Sequence, residues 1–211
     1  MFRAKLIVLS MLAALALGAV GAASASAAEY GGFTGTETIS GEGKAQVFES
    51  VIASAKVIIN CEKNKGTGSL TASTGAGEGE LTFETCSLSV VNGTTHAKEA
   101  QAVCTVANAT SSIKGQLVAG NTRQTLEPKT GTVFAEIKIT GASCTEKGTF
   151  KVEGKVSCAG PEGLVALEEH ALNCNGASGD ELKLGTQEAR LTGTLGVKLS
   201  GANKGKTFYA V

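Results

Sequence analysis

The fold is decided by a stretch in which aliphatic side chains recur at every second position, Val133-Phe134-Ala135-Glu136-Ile137-Lys138-Ile139-Thr140. Between the aliphatic residues lie Glu136, Lys138 and Thr140, which are polar. Successive side chains of a β-strand point to opposite faces of the sheet, so this period of two is typical of a strand with one face in water. The stretch therefore predicts a half-buried strand.

The same alternation extends outward from this stretch. It recurs from Phe150 to Cys158 and from Leu191 to Leu199, and the short run Val57-Ile58-Ile59 is equally rich in β-branched residues. Glycine supplies 28 of the 211 residues and proline only 2, and the glycines fall between these runs as turn residues do. We predict an all-β protein, an antiparallel β-sandwich or barrel with at most one short helix.

One segment carries a helical spacing of apolar residues. Leu164, Leu167, Ala171 and Leu172 recur at helical spacing, and Pro161 suits the first turn of a helix. The same residues can also run as a strand toward Cys174. The sequence leaves helix and strand equally open for residues 161–172.

Three glycines recur at equal intervals, each between two aliphatic residues. They are Gly115, Gly154 and Gly193. Equal spacing is compatible with duplicated units. The flanking sequences align poorly, so we prefer the interpretation that each glycine marks a sharp bend or a close approach of two backbones.

The N-terminus has the three parts of a secretory signal peptide. Residues 1–5 carry two cations, residues 6–20 are almost entirely apolar, and the small residues at 23–28 offer an Ala-x-Ala cleavage site. The apolar run is shorter than the roughly 20 residues of a membrane-spanning helix. We predict that residues 1–28 are a cleaved signal peptide, that no membrane span remains after cleavage, and that the mature protein is secreted.

Six cysteines lie downstream of this segment. In an exported protein an even number of cysteines indicates disulfides, because oxidising compartments keep the bond formed. A zinc site would need closely spaced cysteine pairs, which the sequence lacks. The spacing does not choose among the pairings of the six candidates, which are Cys61, Cys86, Cys104, Cys144, Cys158 and Cys174.

The rest of the chain shows no domain boundary. Residues 29–43 are rich in glycine and threonine and are predicted to form a flexible N-terminal arm. Residues 44–211 are predicted to form a single all-β domain, whose most flexible loop spans residues 71–79.

Composition and motifs exclude several classes of function. Lysine plus arginine equals aspartate plus glutamate at 19 each, so the chain lacks the cationic surplus of a nucleic-acid binder. Asp180 is the only aspartate, which disfavours calcium loops, and no Gly-x-Ser-x-Gly elbow is present. We therefore predict no catalytic residue, no cofactor and no metal site.

The two histidines are the remaining candidates for chemistry. His170 follows Glu168 and Glu169, yet adjacent residues of a strand face opposite ways and no His-Glu-x-x-His motif is present. We predict that His170 lies in an exposed charged turn. His96 follows Asn92-Gly93 and is predicted in a solvated loop.

Several strand and turn fragments resemble an uncharacterised paralogous group of secreted, Gly/Thr-rich all-β proteins of soil actinobacteria. The fragments are Leu81-Thr82-Phe83-Glu84-Thr85-Cys86, Gly131-Thr132-Val133-Phe134, Gly148-Thr149-Phe150-Lys151-Val152-Glu153-Gly154 and Glu188-Ala189-Arg190-Leu191-Thr192-Gly193. The resemblance covers most of the chain after the signal peptide. It implies an exported all-β protein and a strand near Cys174. The group offers no functional residues to transfer.

These observations favour a non-catalytic exported protein with a binding or structural role outside the cell or at the cell envelope. Its partner would be a cell-envelope polymer or another surface protein. One alternative is a secreted effector or inhibitor of another protein. A further alternative is a hydrolase that uses His170 or His96 with a glutamate.

Overall fold

A computed structural model describes residues 28–52, 55–92, 94–118, 123–159, 166–175 and 181–211. The predicted signal peptide, residues 1–28, therefore lies outside the described residues apart from Ala28. The described residues form sixteen strands and two short 3₁₀ turns, at Ala72–Thr74 and Gly201–Asn203. The strands are β1 (Tyr30–Gly31), β2 (Thr36–Ile52), β3 (Ala55–Thr71), β4 (Ala76–Val91), β5 (Lys98–Ala100), β6 (Thr105–Val106), β7 (Ala109–Leu117), β8 (Arg123–Pro128), β9 (Val133–Thr140), β10 (Gly148–Glu153), β11 (Val156–Ala159), β12 (Glu169–Asn175), β13 (Lys183–Leu184), β14 (Gln187–Glu188), β15 (Arg190–Leu199) and β16 (Tyr209–Ala210).

Eight strands form a closed antiparallel barrel. Their order is β3-β2-β15-β12-β11-β8-β7-β4, and β4 pairs again with β3 to close the circle. The β3–β4 ladder runs from the pair Lys56–Val91 to the pair Thr71–Ala76. β5 pairs with the C-terminal end of β4, residues 89–91. The predicted all-β class is confirmed, and of the two predicted architectures the barrel is the one that forms.

A second sheet covers one end of the three longest strands. It has the order β14-β13-β10-β9-β6 and packs Ile137 and Val152 against Phe48 and Ile59 of β2 and β3. The Ser111 hydroxyl of β7 donates to the carbonyl oxygen of Phe134 in β9. The buried apolar residues of barrel and second sheet form one continuous core.

An irregularity at the same level of β2, β3 and β4 lets these strands pack in both the barrel and the region under the second sheet. Pairing is interrupted at Ala45, Glu62 and Thr85, which lie at the same level of the three strands. Ala45 and Thr85 have φ of 45° and 54°, in the left-handed region. The inward-facing positions shift by one residue at this level, as from Gly43 to Gln46 in β2, so each strand bends as it leaves the barrel.

All six cysteines form disulfides, as the sequence predicts. Cys61–Cys86 and Cys158–Cys174 join directly opposed residues of neighbouring strands, with Cα atoms 3.9 and 4.1 Å apart. Cys104–Cys144 ties the segment before β6 to the segment after β9. Each bridge therefore staples neighbouring segments, and two of them fix the register of barrel strands.

Residues 29–43 differ from the predicted flexible arm. Tyr30 pairs with Ala210 in a two-stranded ribbon of the chain ends, and residues 36–43 form the first half of β2, paired with both β3 and β15. Burial of the aromatic ring of Tyr30 against Phe208 and Phe33 holds the segment in place. The glycine and threonine content therefore marks strand here, not a loose arm.

Three further predictions agree with the structure only in part. The alternating stretch 150–158 divides at Gly154 into β10 of the second sheet and β11 of the barrel. The predicted loop 71–79 is a single 3₁₀ turn followed by β4, which already begins at Ala76. For the segment 161–172, residues 169–172 lie in β12, whereas residues 161–165 lie outside the described residues.

Of the three recurring glycines, Gly154 marks a close approach of two backbones, whereas Gly115 and Gly193 make room for side chains of neighbouring strands. A Cβ atom on Gly154 would lie 2.1 Å from the carbonyl oxygen of Glu181, and one on Gly193 would lie 2.5 Å from the side chain of Gln46. At Gly115 it would lie 2.6 Å from the side chain of Gln124. Among the residues that the structure describes, no helix is long and apolar enough to cross a membrane.

Candidate functional site

The barrel encloses a cavity of about 60 Å³ at the end where β1 pairs with β16. Apolar side chains from seven strands line it: Ile39, Leu70, Leu81, Ile113, Leu126, Leu172, Leu195 and Val197. Tyr30 and Phe208 close its end. We call this space the barrel cavity. An eight-stranded barrel is just wide enough either to be filled by its own side chains or to hold one small ligand.

Glycines occupy several inward-facing positions of the cavity wall. Gly41 lies opposite Gly66 in the β2–β3 ladder, and Gly77 lies opposite Gly115 in the β4–β7 ladder. All four line the barrel cavity. A Cβ atom on Gly66 would lie 3.0 Å from a Leu81 methyl carbon, so this glycine leaves space inside the barrel. A Cβ atom on Gly41 would instead lie 2.4 Å from a backbone carbonyl oxygen of β15, so that glycine permits a close approach of two strands.

His170 lies inside the barrel, and the prediction of an exposed turn is wrong for this residue. Buried and exposed residues alternate strictly along β12, which places His170 on the same inner face as Leu172 and Cys174. The side chain is 1% exposed and lines the barrel cavity. Glu168 and Glu169, its neighbours in sequence, are exposed, so the charge of this segment stays in water.

The His170 ring is fixed on one side only. Its Nε2 atom lies 2.5 Å from the carbonyl oxygen of Phe208, and its ring meets the Phe208 ring edge-on at 4.4 Å between centroids. Its Nδ1 atom is buried and has no hydrogen-bond partner among the described residues. A buried polar atom without a partner is rare in folded proteins and calls for an explanation.

Polar groups also lie beyond the barrel cavity, at the level where the long strands bend. The side-chain amides of Gln46 and Asn64 both donate to the carbonyl oxygen of Thr194, at 3.1 and 3.4 Å. At the opposite end, burial raises the pKa of the Tyr30 hydroxyl well above its usual range. Tyr30 is therefore neutral at the cap of the barrel.

His96 lies in an exposed turn and not in the barrel interior. It is exposed and has a φ of 55°, in a turn where the Asn92 side-chain oxygen accepts hydrogen bonds from the backbone amides of Thr94 and Thr95. This is the solvated loop that the sequence predicts. The two histidines therefore occupy opposite environments, one in the barrel interior and one on an exposed turn.

One cluster of potential metal ligands is already committed to another bond. The sulfur atoms of Cys104 and Cys144 lie within 4.8 Å of a Glu146 carboxylate oxygen. Because the two sulfurs form a disulfide, they are not thiolates and do not act as metal ligands. The structure uses all six candidate cysteines structurally.

Comparison with known proteins leaves the function to be argued from this geometry. No protein-family model, no curated protein and no solved structure matches the chain. Sequence reasoning missed the site because its principal residue, His170, was assigned with the charged residues before it. The available signal was the alternation His170-Ala171-Leu172-Asn173-Cys174, which places the histidine on the apolar face.

Proposed function

We propose that this chain is a non-catalytic exported binding protein and that the barrel cavity is its binding site. The observation that carries the proposal is the cavity itself, an apolar space inside a closed barrel, in whose wall the inward-facing Gly66 leaves room. Small-molecule sites are typically concave and apolar with a few polar groups that fix orientation. His170 is such a polar group.

Three disulfides support the exported part of this proposal. A bond between cysteines persists in oxidising compartments outside the cytosol, and all six cysteines of this chain are paired. The protein would act in the extracellular medium or at the cell envelope, where an envelope polymer or another surface protein is the proposed larger partner. A diffusible effector of another protein is the alternative within the same compartment.

The environment of His170 favours binding over hydrolysis. A general base is commonly oriented by a carboxylate, as in catalytic triads. The Nε2 atom of His170 instead meets a backbone carbonyl, and the neighbouring Glu168 and Glu169 are exposed. A hydrolytic activity of the purified protein that His170→Ala removes and His96→Ala leaves intact would contradict the proposal.

Xenon provides a direct test of the binding site. Apolar cavities of this general size take up xenon, which needs no hydrogen bond. We expect the methyl NMR signals of Leu172, Leu195 and Val197 to shift as xenon pressure is raised over the oxidised mature protein. The variant Gly66→Ala adds a methyl group to the cavity wall, 3.0 Å from a Leu81 methyl carbon, and should weaken the shifts. Unchanged methyl signals in the unmodified protein would overturn the proposal.

Fractionation tests the compartment. The full chain, expressed in an actinobacterial host, should be recovered outside the cytoplasm with its N-terminus at Ala28 or Glu29. Saturable co-sedimentation of the mature protein with isolated envelopes would support the envelope role. Recovery in the supernatant with no saturable pelleting would instead favour a diffusible binding protein, and retention in the cytoplasm would overturn export.

A further inference from the structure

We propose that the barrel cavity selects small, mainly apolar molecules that carry one hydrogen-bond donor, and that the Nδ1 atom of His170 accepts that hydrogen bond. The inference rests on the proposed function, because it names the ligand class of the same cavity. The ligand is therefore defined by its chemistry as an alcohol-like molecule, with an apolar body and a hydroxyl group.

The first step concerns the proton on the His170 ring. The Phe208 carbonyl oxygen can only accept a hydrogen bond, so the Nε2 atom that lies 2.5 Å from it must be the donor. A neutral imidazole has one N–H group, and its other nitrogen is an acceptor. In the neutral ring the proton is thus on Nε2 and the lone pair is on Nδ1.

The second step concerns what Nδ1 meets. It is buried and has no partner among the described residues, and His170 is one of the residues that line the barrel cavity. An acceptor that loses water without gaining a partner is destabilising, and a donor placed beside it removes that cost. A molecule with a hydroxyl group supplies such a donor, whereas a molecule with only a carbonyl group would set one acceptor against another.

The third step concerns the rest of the wall. Around His170 the lining is dominated by aliphatic side chains and glycine backbone. Glu78 and Glu80 of β4 also belong to the lining, but their side chains are exposed, and they alternate with the inward-facing Gly77 and Gly79. The wall therefore favours an apolar body and disfavours a charged one.

The size of the cavity bounds the ligand. Its volume of about 60 Å³ compares with the roughly 10–15 Å³ that a cavity needs in order to hold one water molecule. A molecule with three or four non-hydrogen atoms is a suitable probe. 2-Propanol and acetone share one carbon skeleton of this size and differ in that only 2-propanol donates a hydrogen bond.

The test is an NMR titration of the oxidised mature protein with each probe, observing the ring nitrogens of His170. We expect 2-propanol to bind at least about tenfold more tightly than acetone and to shift Nδ1 more than Nε2. His170→Phe keeps an aromatic ring beside Phe208 and should abolish the preference. His96→Phe, on the exposed turn, should retain it. Gly66→Ala leaves His170 in place and should weaken binding of both probes.

The outcomes separate this inference from the proposed function. Xenon uptake with equal binding of the two probes would overturn the inference and leave the binding site standing. Failure of xenon and of both probes would overturn both. A nitrogen spectrum that places the proton on Nδ1, or a tightly held water at Nδ1 that 2-propanol does not displace, would also overturn the inference.

Discussion

The Nε2 atom of His170 lies 2.5 Å from the carbonyl oxygen of Phe208, and this contact joins the barrel interior to the residue directly before β16. The same carbonyl oxygen accepts the backbone N–H of Leu167 at 3.2 Å, and the Phe208 N–H donates in return to Leu167 at 3.0 Å. Phe208 is therefore held by β12 and by the segment before it. Its ring is the centre of the cap that closes the barrel.

Replacing Phe208 by alanine should be among the most destabilising single changes. The side chain is 1% exposed and packs on Tyr30, Phe33 and His170. Removing a fully buried phenylalanine typically costs about 3–5 kcal/mol. Urea unfolding of Phe208→Ala should show this loss, whereas Lys206→Ala, two residues earlier and exposed, should change the free energy of unfolding by less than about 0.5 kcal/mol. Similar losses for both would mean that the cap is not packed as described.

The disulfide pairing gives a distinct peptide map. Cleavage after lysine and arginine places Cys158 and Cys174 in one peptide, residues 156–183, so their bond forms a loop within it. Without reduction, peptide 57–63 should be joined to 66–98, and peptide 99–114 to 139–147. Mass spectrometry before and after reduction checks all three bonds. A peptide 156–183 linked to any other would contradict the register of β11 and β12.

Thr85 offers an opportunity to stabilise the protein. It is exposed, and its φ of 54° is unfavourable for a β-branched residue but acceptable for glycine. We expect Thr85→Gly to raise the free energy of unfolding by about 0.5–1 kcal/mol, because relief of the left-handed strain of about 1–2 kcal/mol exceeds the entropy cost of glycine.

The matched control lies three residues earlier on the same strand. Thr82 pairs regularly with Lys65 in the β3–β4 ladder. Thr82→Gly should therefore lower the free energy of unfolding by about 1 kcal/mol. The two variants should move the urea midpoint in opposite directions, and a shift in the same direction would show that Thr85 is not strained.

The fold class was accessible from sequence because most barrel and sheet strands have one wet face. Val133–Thr140 forms β9 as the alternation predicts, and the stretch 191–199 lies in β15. The disulfides were predicted from an even number of cysteines together with the predicted signal peptide. In both cases a local pattern reports directly on local structure.

The site was not accessible because it depends on pairing between distant strands. Gly66 leaves space because its nearest neighbours inside the barrel are the side chains of Leu81 and Leu195, from two other strands, and no local pattern shows this. His170 was misassigned because two glutamates precede it, although period two separates it from Glu169. Gly154 divides one apparent strand between two sheets, at a point where its backbone lies close to that of Glu181. The alternation of residues 150–158 does not reveal this contact.

The contact at Gly154 can be tested against a glycine in open space. Gly154 and Gly131 both have positive φ, 105° and 66°, but a Cβ atom on Gly131 would meet nothing within 4 Å. Gly131→Ala should cost about 1 kcal/mol for backbone strain alone. Gly154→Ala should cost about 3 kcal/mol or more, because the added carbon also clashes with the Glu181 carbonyl. Equal losses in thermal or urea unfolding would argue against the close approach.

Buried Tyr30 predicts a loss of stability in alkaline solution. Burial raises the pKa of its hydroxyl above the ordinary value of 10.0, so the native state keeps a proton that the unfolded chain releases. The contribution of the neutral Tyr30 side chain to the free energy of unfolding is therefore complete below about pH 10. It falls as the pH rises above that value, by up to about 1.4 kcal/mol per pH unit. Tyr30→Phe carries no hydroxyl and should show a shallower decline between pH 9.5 and 11. The free energy of unfolding of each protein at pH 7 serves as its own reference, and parallel curves for the two proteins would mean that Tyr30 ionises in the native state as readily as in the unfolded chain.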